Sequence, residues 1–161
     1  MDKIKNFIYK NNINLYIFLK KYVQKKLNFP VDIDIFLLKN LEKNSVIVEA
    51  GAANGNDTVF FGENFPKSKI YSLEPMSSLY EVTSKKVKQF ENIELFKLAF
   101  SDIDGKLDLN LAENENQPWG SSSLLEPKLH LEIHPGIKFN DKETVEVVKL
   151  DTFLKMNEIT S

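Results

Sequence analysis

Two kinds of hydrophobic and polar patterning alternate along this chain. Two short, largely apolar runs, Val46–Val48 and Ile70–Leu73, each precede an acidic residue and are typical of buried strands. Each is followed by a segment with helical spacing, one opening at Asp57 and one running from Ser77 to Phe90. Strands that alternate with helices predict an α/β fold with a parallel, doubly wound sheet.

Helical spacing also predicts which positions are buried and where a further helix lies. A short amphipathic helix is expected from Val31 to Leu41, before the first strand. In the helix predicted from Ser77 to Phe90, the positions expected to face the core are Leu79, Val82, Val87 and Phe90.

The pattern changes in the second half of the chain. A third strand is predicted at Ile93–Phe100, and Asp104–Gly105 is a hairpin turn signal. Strict alternation in Lys106–Leu111 predicts a half-buried antiparallel strand, and Thr144–Leu150 is predicted to return as another strand. Asp151 is expected to cap a last short helix. These elements predict an antiparallel β insertion beside the parallel sheet.

The first 29 residues differ from the rest in charge. They carry seven lysines and one aspartate, whereas the remaining 132 residues carry 14 lysines and 22 acids. Loosely periodic apolar residues run through the basic part, which predicts an amphipathic helical segment at 1–29 and a second domain at 30–161. Two interpretations stay open: a helix packed on the domain or on a partner, and a helix resting on an anionic membrane surface.

Composition excludes several classes of function. The chain has no cysteine, and its two histidines offer little for a metal centre, so no metal site is expected. Every basic residue is lysine, which removes bidentate arginine recognition of phosphate and argues against nucleic-acid binding. No apolar run approaches the ~20 residues needed to span a bilayer. We expect a cytoplasmic protein, with peripheral membrane contact through residues 1–29 as the alternative.

The turn after the first predicted strand has the spacing Glu49-x-Gly51-x-x-x-Gly55. Gly51 would let the chain leave the strand sharply, and Gly55 would let the backbone approach a ligand without a Cβ in the way. The dinucleotide pattern G-x-G-x-x-G is absent. An acid at the carboxyl end of a strand suits an ammonium or a hydroxyl, which favours S-adenosylmethionine over a nicotinamide or flavin cofactor.

A second acidic residue supports the same interpretation. Glu74 follows the second predicted strand, 23 residues after Gly51. This is the expected position for a carboxylate that binds ribose hydroxyls.

These residues resemble the FkbM-type S-adenosylmethionine-dependent methyltransferases from about Asp32 onwards. The resemblance rests on several motifs in order along the chain: 46–58, 72–75, 97–102 with Gly105, 120–124 and 147–154. It implies a Rossmann-like class I methyltransferase sheet and methylation of hydroxyl groups on sugars, glycans or small metabolites. In the family a further strand follows and lies beside the first one, so the resemblance also implies that the sheet is incomplete here.

The resemblance assigns a cofactor site to the two turns. Glu49 and the glycine turn would face the methionine end of the cofactor, Glu74 would hold the ribose, Pro75 and Met76 would line the adenine face, and Ala99 and Asp102 would lie at the adenine edge. The full set of implied cofactor-binding residues is Glu49, Gly51, Ala52, Ala53, Asn54, Gly55, Thr58, Glu74, Pro75, Met76, Ala99 and Asp102.

The general base cannot be assigned from these motifs. His130 and His134 are the candidates, because an imidazole titrates near neutral pH. Pro135 and Gly136 come directly after them and favour a loop over a helix for this segment. Two other functions stay open: a non-catalytic partial domain that binds a partner chain or a second copy of itself through an exposed strand edge, and a nucleotide-binding enzyme of another class.

Overall fold

A computed structural model of the chain describes residues 33–113, 122–134 and 136–159. The basic segment predicted at 1–29, and its boundary with the domain at 30–161, lie outside these residues. The chain divides into two compact units, Met1–Glu42 and Lys43–Ser161. In the first unit the described element is helix α1, Ile33–Asn40, which confirms the helix expected there.

A parallel sheet forms the first part of the second unit. Its strands and helices alternate in the order β1 (Val46–Ala50), α2 (Asn56–Asn64), β2 (Lys69–Leu73), α3 (Ser77–Val87) and β3 (Ile93–Phe96). The strand order is β1-β2-β3, and both pairs are parallel, with Glu49 opposite Ser72 and Leu73 opposite Phe96. The predicted fold class, a partial Rossmann-like α/β sheet, is confirmed.

Strand β2 lies at the centre of this sheet because its side chains can be buried on both faces. Ile70, Tyr71, Ser72 and Leu73 are all buried. β1 is an edge strand within the described residues, and Val46 at its start remains 50% exposed. The short apolar runs therefore predicted both strands, although only β2 has the burial of a central parallel strand.

Helix α3 differs from its prediction in two respects. It ends at Val87 rather than at Phe90, and Phe90 closes the end through a backbone bond of 2.9 Å to the Val87 carbonyl. Leu79 and Val87 are buried as expected, whereas Val82 is 42% exposed and Thr83 is buried in its place. The prediction of Val82 was wrong because Thr83 makes a polar contact that apolar periodicity does not detect.

The second sheet has three strands. It contains β4 (Ala99–Phe100), β5 (Gly105–Glu113) and β6 (Lys138–Val148), accompanied by helices α4 (Lys128–Ile133) and α5 (Leu150–Met156). The order is β4-β6-β5; β6 runs parallel to β4 and antiparallel to β5. The antiparallel insertion is confirmed, and β6 begins six residues before the predicted Thr144.

Three local predictions in this region were wrong. The apolar run Ile93–Phe100 is divided between β3 and β4, which belong to different sheets. Asp104–Gly105 does not form a hairpin, since β4 and β5 each pair with β6 and not with each other. The segment that contains His130 forms the short helix α4 rather than a loop.

Asp104 instead caps helix α5. Its carboxylate accepts hydrogen bonds from the Lys149 amide (2.8 Å) and the Thr152 hydroxyl (3.0 Å), which lowers the pKa of this exposed side chain. Asp151 lies inside the first turn of α5, so the prediction that it caps the helix was wrong. The distant Asp104 carboxylate accepts the amide of the N-cap residue Lys149 and a hydroxyl of the first turn in its place.

Two hydrophobic clusters hold the second unit together. One lies against α3 and contains Met76, Leu79, Leu109, Val145 and Val147. The other surrounds Phe153, which packs edge-to-face against the rings of Tyr71, Phe96 and Phe100. Among the described residues no helix is long and apolar enough to cross a bilayer.

Candidate functional site

The turn between β1 and α2 contains three residues with positive φ. Gly51 has φ +82°, Ala53 +48° and Gly55 +76°. A Cβ built on Gly51 would meet no atom within 4 Å, whereas one on Gly55 would lie 2.8 Å from Thr83 Cγ2. The missing Cβ of Gly55 therefore makes room for Thr83, and Gly51 faces open space. That Gly55 also lets the backbone approach a ligand stays a prediction.

Glu74 links this turn to the one after β2. One carboxylate oxygen accepts a hydrogen bond of 2.7 Å from the Ala53 amide, and the other accepts one of 2.9 Å from the Met76 amide. The side chain is 4% exposed. A carboxylate has about four acceptor positions, so these two bonds orient the group and leave acceptor capacity for a ligand's hydroxyls.

Helix α3 holds the other side of the glycine turn. Thr83 donates a hydrogen bond of 2.7 Å to the Ala53 carbonyl. The Lys86 ammonium donates to the Asn54 carbonyl (2.6 Å) and to Asn56 Oδ1 (2.9 Å). Since both the amide and the carbonyl of Ala53 are bonded, the positive φ of this alanine is imposed by its surroundings.

Glu49 lies at the end of β1, below the turn. Its Oε2 accepts a hydrogen bond of 2.7 Å from the Thr58 hydroxyl. Burial raises the pKa of the Glu49 carboxyl, the hydroxyls of Ser72 and Thr58 oppose that rise, and the nearby Asp57 adds to it. The sequence motif thus places a partly buried acid beside two hydroxyls.

The charge of Glu49 acts on Glu74. Burial raises the pKa of Glu74, the amides of Met76 and Ala53 lower it, and the charges of Glu143 and Glu49 raise it again. Two carboxylates kept close together, both partly desolvated, favour a ligand that brings a positive charge to one and hydroxyl donors to the other. These groups fit an aminoacyl-nucleoside such as S-adenosylmethionine.

The structure brings together most of the predicted cofactor residues. Glu49, Ala53, Thr58, Glu74 and Met76 belong to the hydrogen-bonded groups around the two turns. Gly51 and Ala52 both donate their amides to the Leu73 carbonyl, at 2.9 and 2.8 Å, which fastens the glycine turn to the end of β2.

The remaining predicted residues lie around this centre. Pro75 is half-buried between Glu74 and Met76. Ala99 packs against the cluster that contains Met76, and its place at the adenine edge stays a prediction. Asp102 is exposed in the turn after β4, where it accepts a bond of 3.2 Å from Ser101, and it does not join the hydrogen-bonded groups of Glu49 and Glu74.

The N-terminus of α3 is fixed from the second sheet. Glu143 on β6 accepts hydrogen bonds from the Ser77 amide, at 3.1 and 3.2 Å to its two oxygens, and from the Ser77 hydroxyl. Lys97 Nζ lies 4.0 Å from the same carboxylate. Glu143 therefore connects the antiparallel insertion to the turn that carries Glu74 and Met76.

A cavity of about 200 Å³ is lined by Met76, by the start of α3 and by strands β5 and β6. Its floor is mainly apolar, and two acids stand among its lining residues. These residues are Met76, Ser78, Leu79, Leu111, Ala112, Glu113 and Asp141. Strict alternation in β5 signalled this surface, but the sequence did not indicate that it would meet the start of α3.

The two histidines lie in and directly after helix α4. His130 lies in α4, and the exposed His134 follows that helix. Their role as a general base stays a prediction. Among the described residues no group of three or more His, Asp or Glu side chains could hold a metal ion.

Comparison with known proteins shows similarity to methyltransferases. Over 115 residues the chain is 28% identical to 2-O-methyltransferase NoeI of Sinorhizobium fredii (strain NBRC 101917 / NGR234), covering 69% of this chain and 47% of NoeI. Over 126 residues it is 26% identical to methyltransferase sdnD of Sordaria araneosa, covering 73% of this chain and 48% of sdnD. The chain thus spans about half the length of these curated relatives.

Solved structures give weaker likenesses. SMU.1697c of Streptococcus mutans, a putative methyltransferase solved in complex with SAH, has a TM-score of 0.36 at 26% identity. The match covers 42% of this chain and 47% of SMU.1697c. An rRNA methylase of Streptococcus thermophilus has a TM-score of 0.35 at 26% identity, and the match covers 42% of this chain and 46% of the methylase. No model of a known protein family matches the chain.

Proposed function

We propose that this chain carries the cofactor site of an S-adenosylmethionine-dependent methyltransferase of the FkbM type. The observation that supports this most is the Glu74 carboxylate, which is hydrogen-bonded to Ala53 in the glycine turn and to Met76 in the next turn. One acid fixed between two turns at the carboxyl ends of parallel strands suits a ribose. The sequence similarity to NoeI and sdnD supports methyl transfer as the reaction.

The residues of the site have distinct roles in this proposal. Glu74 accepts hydrogen bonds from ribose hydroxyls, and Glu49 faces the ammonium group of the methionine end. Met76 lies beside the adenine. The cofactor supplies a methyl group on a sulfonium, and the protein contributes mainly by holding the reactants in position. The open space beside Gly51 leaves the backbone accessible there.

We further propose that the methyl acceptor is a hydroxyl of a sugar, a glycan or a small metabolite. The name of NoeI, a 2-O-methyltransferase, supports an oxygen acceptor. A base is then required to take the hydroxyl proton, and His134 and His130 are candidates because histidine is the side chain that most often acts as a general base. Replacing each histidine by glutamine and measuring transfer of a labelled methyl group tests these roles.

Isothermal titration tests the cofactor assignment. The chain is titrated with S-adenosylmethionine, with S-adenosylhomocysteine and with NAD. Binding of the first two with weaker or no binding of NAD supports the proposal. Tighter binding of NAD would favour the alternative of a nucleotide-binding enzyme of another class and overturn it.

A second candidate function is a non-catalytic partial domain that binds a second copy of the chain. The observation that favours it is β1, which pairs only with β2 within the described residues and leaves Val46 50% exposed. Edge strands with unpaired backbone groups are association sites. Light scattering of the purified chain, compared with Val46→Lys, tests it. A dimer that the lysine disrupts supports this function, and a monomer in both cases contradicts it.

A further inference from the structure

Ser72 is a buried hydroxyl whose hydrogen bonding is incomplete. It lies in the central strand β2, directly opposite Glu49 of β1, and has no measurable exposure. Its Oγ has no hydrogen-bond partner of normal geometry. Leaving a buried hydroxyl unpaired costs ~1–3 kcal/mol, so a serine at this position needs a physical explanation.

The Glu49 carboxylate, which lies beside Ser72, provides this explanation. Paired residues of adjacent parallel strands point to the same face of a sheet, which places the Ser72 hydroxyl beside the Glu49 carboxylate. Thr58 of α2, also fully buried, already donates to Glu49 Oε2 at 2.7 Å. Ser72 is the second hydroxyl near the same carboxylate.

The charges around Glu49 make a second donor useful. The negative charge of Asp57 on α2 acts against the ionised form of Glu49. Burial acts in the same direction. Hydroxyl donors are then the groups in the described cluster that favour the carboxylate, since a hydrogen bond to a charged acceptor is stronger than one between neutral groups.

We propose that Ser72 is a positioning residue for Glu49. Its hydroxyl donates the second hydrogen bond to the carboxylate and keeps that group ionised and oriented towards the ammonium end of the cofactor. This inference rests on the proposed function for the identity of the ligand, but the contact between Ser72 and Glu49 does not. Ser72 acts through Glu49 and does not touch the reacting atoms.

The titration of Glu49 in the free protein tests the contact. Chain labelled with ¹³C at the glutamate carboxyls is titrated by NMR, and the Glu49 signal is identified by its loss in Glu49→Gln. In Ser72→Ala the pKa of Glu49 should rise above that of the wild type. In Ser72→Cys, which keeps a weak donor, the rise should be smaller.

Ser68→Ala is the matched control. Ser68 directly precedes β2, is 1% exposed and donates to the Lys43 carbonyl at 3.3 Å. Its loss removes a buried hydroxyl next to the same strand and should leave the Glu49 titration unchanged. An unchanged Glu49 titration in both folded Ser72 variants would overturn the inference.

Ligand binding then separates this inference from the proposed function. Near neutral pH, Ser72→Ala should bind S-adenosylhomocysteine about tenfold more weakly than the wild type, and the pH at which binding is lost should move upward. If the wild type binds no S-adenosylhomocysteine, the proposed function fails, and so does the role of Ser72 in orienting Glu49 towards that cofactor. If the wild type binds it and the Ser72 variants match the wild type in affinity and pH profile, the inference alone fails.

Discussion

The carboxylate of Glu74 and the backbone amide of Ala53 lie 2.7 Å apart across 21 residues of sequence. This bond ties the glycine turn after β1 to the acid after β2, two features that the sequence shows separately. Because Ala53 has a positive φ, the bond also holds a backbone conformation that an alanine rarely adopts. The two halves of the candidate site are therefore mechanically connected before a ligand binds.

Substituting Glu74 should weaken cofactor binding. Glu74→Ala removes the acceptor for two backbone amides and for the ribose, so we expect affinity for S-adenosylhomocysteine to fall about tenfold or more. Glu74→Gln keeps one acceptor oxygen, so its affinity should lie between those of Glu74→Ala and the wild type. Titration calorimetry measures both, and equal affinity in all three proteins would contradict the assignment.

Alanine substitutions at the two glycines of the turn should differ in their cost. Gly51→Ala has open space for its Cβ and should lose only the ~1–2 kcal/mol of a left-handed conformation. Gly55→Ala has the same strain and also brings its Cβ to 2.8 Å from the Thr83 side chain and 3.2 Å from its Cα. Overpacking of this kind adds ~1–3 kcal/mol.

Urea unfolding of the two variants measures this difference, and calorimetry adds a second contrast. Gly51→Ala should weaken S-adenosylhomocysteine binding, because its new methyl group enters the space next to the backbone. Equal stability of the two variants would show that Thr83 does not restrict the turn.

Glu143 should contribute to stability through the start of α3. Glu143→Ala removes the acceptor of the Ser77 amide and hydroxyl, and loss of such a cap costs ~1–2 kcal/mol. Glu146→Ala on the same strand is the matched control. Its partner Lys106 is 3.0 Å away, but both side chains are more than half exposed, so its loss should cost under ~1 kcal/mol. Urea unfolding that ranks the two variants in the opposite order would refute this role.

Sequence patterning predicted the elements whose side chains are apolar and buried. β1 and β2 were recognisable because short apolar runs precede Glu49 and Glu74. The break between β3 and β4 was not recognisable, because Leu98 and Ala99 continue the apolar pattern while the chain passes from one sheet to the other. Periodicity records which residues avoid water, but it does not record which neighbour they pack against.

The polar contacts of the site could not be predicted for a similar reason. Thr83 meets Ala53 across 30 residues and Glu143 meets Ser77 across 66. Each side chain looks like an ordinary polar residue in its own segment. Their partners are set by the packing of α3 against the glycine turn and against β6, which no local pattern contains.

The pKa of Glu49 has a consequence for stability. Burial raises it above the ordinary value of 4.5, so the folded protein holds this proton more tightly than the unfolded chain does. The resulting stabilisation is complete below pH 4.5 and is lost as the pH rises through the raised pKa. Glu49→Gln removes that loss, so its stability relative to the wild type should increase between about pH 4.5 and about pH 8.

Urea unfolding at the two pH values measures this change. Glu91→Gln, at an exposed glutamate in the turn before β3, controls for the loss of one negative charge. A relative stability of Glu49→Gln that falls with increasing pH would contradict the raised pKa.

The proposed function requires that the two turns together form the cofactor site. Amide chemical-shift mapping with ¹⁵N-labelled chain and S-adenosylhomocysteine tests this directly. The largest shifts should fall on Gly51, Ala53, Glu74 and Met76, and they should be lost in Glu74→Ala. Shifts concentrated instead on β5 and β6, or no shifts at saturating ligand, would contradict the account.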